Sequence, residues 1–275
     1  MAFALGPKAL AAGYRLVAHE TIGSTNQDAL DCAEADGGNL WVVSARQTAG
    51  RGRRGRPWQT ASGNLAASLL TVTASGGPDA TLGFVAGLAL DEALRRIAPT
   101  LDVVVAVDAV DRGGIDGRAR VRLKWPNDVL VDGAKLAGIL LEARALPGGR
   151  TAVVAGIGVN VMEAPLDVPY PATSLRALGV VVDAPLLFAA LTDAWVGIAR
   201  IWDEGRGFRT IRDLWLARAG GLGEMAAVSV GGSVFSGVFE TIDDEGRLIL
   251  RSPEGDRRAI SAGEVHLGVA ATVRA

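Results

Sequence analysis

Apolar positions along the chain switch between two periods. In "TLGFVAGLALDEALRRIA" (81–98), Leu82, Val85, Ala89, Ala93 and Ile97 fall on one stripe at helical spacing. Residues 185–204 and 208–218 carry the same pattern. Ser24 and Gln27 stand at capping-box spacing, and Gly37 and Gly38 supply a stop, so a helix is predicted from Thr25 to Asp36. Runs rich in β-branched and apolar residues predict strands at 16–22, 40–47, 64–72, 102–109 and 151–161. In "RLKWPNDVLVDGAKLAGILLEA", Asp132-Gly133 sits between two β-prone runs and predicts a hairpin on a type I′ turn, while Pro126 and Asn127 interrupt the first run. "DRGGIDGRAR" reads as a loop. After the glycines of "ARAGGLGE" the texture changes to short strands at 226–230, 233–242, 247–252 and 257–261, divided by "GG", "DDEG" and "SPEGD". The pattern predicts an α/β (α+β) domain over 1–220 and a small β-barrel over 221–275. At about 50 residues the barrel is too small to be secure alone and is expected to pack on the larger domain.

With 275 residues, 49% of them hydrophobic, the chain can bury a substantial core. Its formal net charge is −2, which argues against nucleic-acid binding driven by total charge. Yet "AGRGRRGRPW" (49–58) packs Arg51, Arg53, Arg54 and Arg56 between Gly50, Gly52 and Gly55. A composition rich in alanine, glycine and arginine raises the chance of such a run, so its neighbours must decide its meaning. Cys32 is the single cysteine, which excludes an intrachain disulfide and a cysteine metal cage and suits a reducing cytoplasm. The N-terminal stretch lacks a basic start and is broken by Gly6, Pro7 and Lys8, so it reads as neither signal peptide nor membrane span, and no later uninterrupted apolar run reaches about 18 residues.

The Arg/Gly stretch suits a phosphate: glycine lets backbone N–H groups turn toward an anion, and guanidinium forks pair with phosphate oxygens. It matches neither a Walker motif nor a dinucleotide fingerprint. Three glycines and four like charges are expected to hold no single closed conformation without a counter-anion. In "KWPND" (124–128), Lys124 could neutralise phosphate charge and Asp128 could hold a phosphate-bound magnesium; a strand-end salt bridge is the plain alternative. Asn160, ending "GIGVN", could bond a nucleotide or cap a turn. Ser24, Thr25 and Asn26 could read a small neutral ligand or cap their helix. His19 and His266 receive no functional role.

Taken in order, G-S-T-N, Q-T-A-G-R-G-R-R-G-R-x-W, K-W-P-N-D-V, K-L-A-G-I-L-L-E and G-I-G-V-N closely resemble the motifs of the biotin protein ligases, over residues 20–162. The resemblance implies a mixed-sheet catalytic domain akin to class II aminoacyl-tRNA synthetases, followed by an SH3-like domain. It implies a two-step reaction: biotin and ATP give biotinyl-5′-AMP and pyrophosphate, then biotin passes to a lysine of the biotin carboxyl carrier domain of acetyl-CoA or related carboxylases.

Matched by position, Ser24, Thr25 and Asn26 are expected at the ureido end of biotin with Gln47 beside them. Arg51, Gly52 and Arg53 are expected over biotin and the acyl-phosphate, with Arg54 and Arg56 toward nucleotide or pyrophosphate and Trp58 pinning the loop to the pocket wall. Lys135 is the expected electrostatic catalyst, with Arg53 assisting. Asn160, Lys124, Asn127 and Asp128 are expected near nucleotide and Mg²⁺, with Asp128 the metal-touching residue.

The "STN" motif begins at residue 24, which leaves no room for the winged-helix domain of some members, so no DNA binding is expected. No membrane partner is expected either, and the chain is expected as a monomer or homodimer. Two rival readings are a lipoate or octanoate ligase or transferase of the same superfamily, and a nucleic-acid-binding protein using the Arg/Gly loop. "GRGRRGR" and "KWPND" favour biotin over the first. The acidic balance and a single short basic segment stand against the second.

Overall fold

The computed structural model describes residues 2–74, 79–101 and 121–267. In chain order it runs α1 (Pro7–Ala11), β1 (Arg15–His19), α2 (Thr25–Asp36), β2 (Leu40–Ser44), β3 (Leu65–Ala74), α3 (Leu82–Ile97), β4 (Val121–Lys124), β5 (Asp128–Val131), β6 (Ala134–Leu146), β7 (Arg150–Val159), α4 (Ala184–Trp202) and α5 (Phe208–Leu216). It ends with β8 (Met225–Val230), β9 (Ser233–Ile242), β10 (Leu248–Arg251), β11 (Arg257–Ile260) and β12 (Glu264–Leu267). Short 3₁₀ turns join some of these. The predicted strand at 102–109 and the loop after it lie outside the described residues.

Strands β1 to β7 form one mixed sheet in the order β1-β2-β3-β7-β6-β5-β4, with β1 and β2 parallel and the other pairs antiparallel. Strand β2 is buried on both faces, which explains why "LWVV" is apolar without alternation. Trp41 and Val43 face a large core built with α3 and α4, while Leu40 and Val42 pack with Ala29, Leu30 and Ala33 of α2 on the other side. Helix α4, with the turn after it, is long and apolar enough to cross a membrane by length and composition, yet 61% of its most apolar window is buried in the protein. It carries Trp195, stacked edge-on with Trp41 at 5.9 Å.

The local signals that stop and start elements are those the sequence carries. Ser24, in extended backbone, caps α2 by accepting from the Gln27 amide, and Gly37 at φ 78° ends it in the left-handed region. Asp132 and Gly133 both have positive φ, as a type I′ turn requires, and join β5 to β6. The Pro126-Asn127 interruption is itself a reversal: Lys124 pairs with Asp128, so residues 121–146 form three antiparallel strands rather than one hairpin.

The C-terminal module is a five-stranded antiparallel sheet in the order β11-β10-β9-β8-β12. The last of these strands, β12, was absent from the sequence prediction and pairs with β8. The module shares one continuous apolar core with the larger domain, through residues such as Val228, Phe239 and Val265. Polar ties add to it, among them Trp125 Nε1 donating to the Gly246 carbonyl at 3.1 Å and Arg212 pairing with Asp244.

Candidate active site

Helix α2 covers only part of its sheet face. Beyond its N-terminus the sheet runs on as a strip of small residues, Ala66, Gly138, Gly156 and Gly158, which floors a cavity of about 630 Å³. The glycines are there because side chains lie flat on them. A Cβ at Gly156 would sit 2.1 Å from Asn26 Oδ1, and one at Gly158 would sit 2.4 Å from the Trp58 ring. The Arg/Gly loop, the "KWPND" turn, the segment around Tyr170 and residues 263–267 of the C-terminal module close the cavity.

One end of the cavity is neutral and polar. Ser24, Thr25 and Asn26 are all buried although polar. The Thr25 amide donates to Gln47 Oε1 at 2.8 Å, and Gln47 Nε2 donates to Thr60 at 3.2 Å. Asn26 Nδ2 donates to Glu142 at 2.8 Å, and Asn26 Oδ1 accepts from Ser68 at 2.6 Å.

Two residues along the same strands the character changes to cationic. Lys135 Nζ lies 2.8 Å from Asp128 Oδ1 and within 5.6 Å of the ring centres of Trp58 and Tyr170. That contact is an ion pair rather than a well-aligned hydrogen bond, since Asp128 Oδ1 is buried without any hydrogen-bond partner. The Lys124 ammonium is nearby, and burial pulls its pKa below the usual lysine value, opposed by Asp128. Desolvation, with Arg54 alongside, lowers the pKa of Arg53 as well; the group stays a cation, but one with little water to share its charge.

The loop itself is a closed reversal. Gly52 N–H donates to the Arg56 carbonyl at 2.7 Å and Trp58 N–H to the Gly50 carbonyl at 2.9 Å, with Arg54 at φ 57° and Gly55 at φ 71° taking the tight bend. Its arginines do not lack counter-charge. Arg51 pairs with Glu142 at 3.1 Å, and Arg56 forks onto Glu264 at 3.2 and 2.9 Å. Arg54 reaches the same carboxylate at 3.8 Å. Arg53 donates to Asn127 Oδ1 at 3.1 Å and to the Gly263 carbonyl at 3.3 Å. The expectation of an unheld loop considered only an external anion, whereas the protein supplies two carboxylates of its own. The Arg56 hydrogen bond holds the Glu264 carboxyl below its ordinary pKa.

Of the residues singled out in the sequence, Ser24, Thr25, Asn26, Gln47, Arg51, Gly52, Arg53, Arg54, Arg56, Trp58, Lys124, Asn127, Asp128 and Lys135 all line this one cavity. Asn160 does not. It is buried beneath, where its Nδ2 donates to the carbonyls of Thr173 at 3.1 Å and Lys135 at 3.5 Å. Asn127 is partly occupied with structure, since its Nδ2 donates to the Ile139 carbonyl at 2.8 Å across the turn. Tyr170 and Glu264 also line the cavity, Glu142 and Ser68 hold its lining residues from behind, and none of the four was found by sequence reasoning. Glu142 ends the quoted "KLAGILLE" motif, and its acidity opposite an arginine loop was the available signal. The other three sit in segments without a distinctive pattern.

Residues 18–160 match the sequence profile of the biotin/lipoate A/B protein ligase family, and residues 221–268 match that of the biotin protein ligase C-terminal domain. The chain belongs to the biotin/lipoate A/B protein ligase family. Within it, the chain is 40% identical over 252 residues to a biotin--[acetyl-CoA-carboxylase] ligase of Paracoccus denitrificans, covering 89% of this chain and 97% of that one. It is 36% identical over 254 residues to the enzyme of that name from Mycobacterium tuberculosis, covering 88% and 85%. The fold is also that of the biotin protein ligase of Aquifex aeolicus solved with biotin and ATP, with a TM-score of 0.70 at 24% identity over 92% of this chain and 97% of that one. Profile and relatives agree on the biotin branch of the family, and the function of this chain is that of a biotin protein ligase.

Proposed function

We propose that the cavity carries out both steps of biotin transfer. The carboxylate of biotin attacks the α-phosphate of ATP, giving biotinyl-5′-AMP and releasing pyrophosphate. The amine of an acceptor lysine then attacks the acyl carbon and releases AMP. No side-chain nucleophile is needed, so the protein's task is to align two anions and suppress their repulsion.

The observation that carries this reading is the change of character along the glycine strip. A neutral hydrogen-bonding end at Thr25 and Gln47 is followed, two residues along β6 and β7, by Lys135 and the arginine loop. Such a gradient suits an acid with a neutral polar head whose carboxylate meets a nucleotide. In this reading Ser24, Thr25, Asn26 and Gln47 bind the ureido ring. Arg51, Gly52 and Arg53 cover the acyl-phosphate. Lys135 leaves Asp128 to neutralise charge developing on the α-phosphate, and Arg54, Arg56 and Lys124 take the remaining phosphate charge. Asn160 acts from below, by fixing the backbone that carries Lys135.

Asp128 is the residue that would touch an ATP-bound magnesium. Its fit rests on a carboxylate beside the cationic end of the cavity, paired at 2.8 Å with the Lys135 ammonium that this reading moves to the phosphates, and on the habit of Mg²⁺ in nucleotide sites of using one or two carboxylates with phosphate oxygens. No cluster of three metal-ligating side chains is found among the described residues. The metal would supply charge neutralisation on the phosphates.

The acceptor is proposed to be the biotin carboxyl carrier domain of acetyl-CoA carboxylase or a related carboxylase, as the names of the relatives suggest. A cytoplasmic setting, with no DNA or membrane partner, completes the proposal. The formal net charge of −2 supports the part of this reading that leaves out a nucleic-acid partner. Incubating the protein with ATP and either biotin or lipoate, then identifying the adenylate by mass spectrometry, tests it. Biotinyl-AMP is expected. Lipoyl-AMP formed in preference would replace the reading with its rival.

A further inference from the structure

Helix α3 lies across the sheet from the cavity: Leu123 of β4 turns its side chain to Gly87 of α3, while its neighbour Lys124 lines the cavity on the other face. In this helix sits a carboxylate with only 1% exposure, Asp91. Its Oδ2 accepts from Arg95 Nε at 2.9 Å, four residues on in the same helix, and from Arg218 Nε at 2.6 Å, 127 residues away. The pair with Arg95 is local and would serve the helix alone. Arg218 is a second cation, and its side chain is itself fixed, since Nη1 donates to the Leu214 carbonyl at 2.9 Å in the last turn of α5.

What Arg218 holds is a seam. Its carbonyl accepts from the Leu123 amide at 2.9 Å, and the Gly220 amide donates to the Leu123 carbonyl at 2.9 Å, so residues 218–220 run as a parallel partner along β4, the edge strand of the large sheet. The same stretch then meets the C-terminal module: Leu267 of β12 packs where a side chain on Gly221 would lie, and the Gly223 amide donates to the Phe239 carbonyl at 2.8 Å. Lys124 follows Leu123 and opens the "KWPND" turn, while Gly263 and Glu264, at the start of β12, hold Arg53 and Arg56. Two walls of the cationic end of the cavity therefore join at residues 218–221. We propose that Asp91, acting through Arg218, is a positioning residue for adenylate formation: it anchors this seam to the core and so sets the spacing between Lys124 and the Glu264 side of the cavity. This rests on the reading that the phosphates of ATP bind at that end. The neutral end, built on the N-terminus of α2 and Gln47, draws on none of these contacts.

The test measures biotin-dependent pyrophosphate exchange into ATP and, by calorimetry, the dissociation constant of biotin. The full chain is compared with Arg218→Met, Arg218→Lys, Asp91→Ala and the double variant Asp91→Ala/Arg218→Met. Arg218→Met leaves Asp91 paired with Arg95, so no buried charge is left alone, and Asp91→Ala removes the buried charge itself. Arg218→Met is expected to lower kcat/KM for ATP about 10- to 100-fold with KM raised, the range for misplacing reacting groups by about 1 Å, and to keep biotin affinity within about twofold of wild type. Arg218→Lys, whose ammonium can still meet Asp91, is expected to recover most of that loss. Asp91→Ala is expected to match Arg218→Met, and the double variant to fall no further, as for two ends of one contact. A merely destabilising change would lower the active fraction, and with it the biotin-binding stoichiometry, without raising KM. Folded Arg218→Met or Asp91→Ala with wild-type kcat/KM for ATP would overturn the proposal, as would a loss shared equally by biotin affinity or by Arg218→Lys. Wild-type protein without biotin-dependent exchange would overturn the functional reading beneath it, and so is told apart from failure of the anchor alone.

Discussion

Replacing Gly156 with alanine probes the glycine floor more sharply than any charge change. A Cβ there would lie 2.1 Å from Asn26 Oδ1 and 2.8 Å from Asn26 Cγ. Carbon and oxygen rarely approach closer than about 3.3 Å, so roughly 1.2 Å must be found. Strand β7 cannot yield it, since Gly156 is paired on one side with Ser68 of β3 and on the other with Leu140 of β6. Asn26 must move instead, and it loses the bonds to Ser68 and Glu142. A neutral hydrogen bond contributes about 1 kcal/mol and one to a charged group about 2 kcal/mol, which puts the expected loss of stability near 3 kcal/mol. Biotin affinity is expected to fall at least tenfold, because Thr25 and Asn26 form the same helix N-terminus. Urea unfolding followed by tryptophan fluorescence, with calorimetric titration of biotin, reads both quantities. Gly158→Ala is the natural control: its Cβ would strike Trp58, a half-buried ring beside open cavity that can swing aside, so stability should change by less than about 1 kcal/mol. If Gly156→Ala stays within about 0.5 kcal/mol of wild type and binds biotin normally, the reasoning from a rigid floor is refuted.

Three further expectations follow from the same geometry. Lys135→Ala should cut adenylate formation by about 10²–10³, the cost of one preorganised electrostatic group, with unfolding behaviour preserved; adenylation within threefold of wild type would remove Lys135 from its role. Glu264 has a folded-state pKa below its ordinary 4.5, so its contribution is present above that value and is lost as pH falls through the depressed one. The stability gap between wild type and Glu264→Gln should thus shrink on acidification below about pH 4.5, and a gap constant with pH would rule out the Arg56 pairing. Truncation after residue 220 removes Val228, Phe239 and Val265 from a shared core and the Gly246 carbonyl from Trp125, so carrier biotinylation should be lost even in any soluble product; normal ligation by the truncated chain would show the C-terminal module to be dispensable.

Most elements were legible because their signals are local. The Ser24 cap, the Gly37 stop and the Asp132-Gly133 turn act within a few residues, and the sequence states them directly. Strand β12 was not legible: "EVHL" has little β signal of its own and becomes a strand because β8 offers it an edge. The interruption at Pro126-Asn127 could be seen, but not that it reverses the chain.

The site divides in the same way. The loop arginines and Asp128 could be seen as charges in unusual places, and Lys135 was reached through the ordered motifs that resemble the family. Their partners could not be seen. Glu264 lies 208 residues from Arg56 and Glu142 lies 91 from Arg51, distances over which no local pattern speaks. Asn160 was visible as a polar residue ending an apolar strand. Its buried place beneath Lys135 was set by the 171–175 segment, which no motif marks.

The central claim is that one cavity joins biotin to AMP before any carrier is present. Biotin-dependent exchange of labelled pyrophosphate into ATP tests it most directly. Exchange is expected to require biotin, to go unsupported by lipoate, and to fall by about 10²–10³ in Lys135→Ala. Exchange that proceeds without biotin, or that lipoate supports equally well, would contradict it.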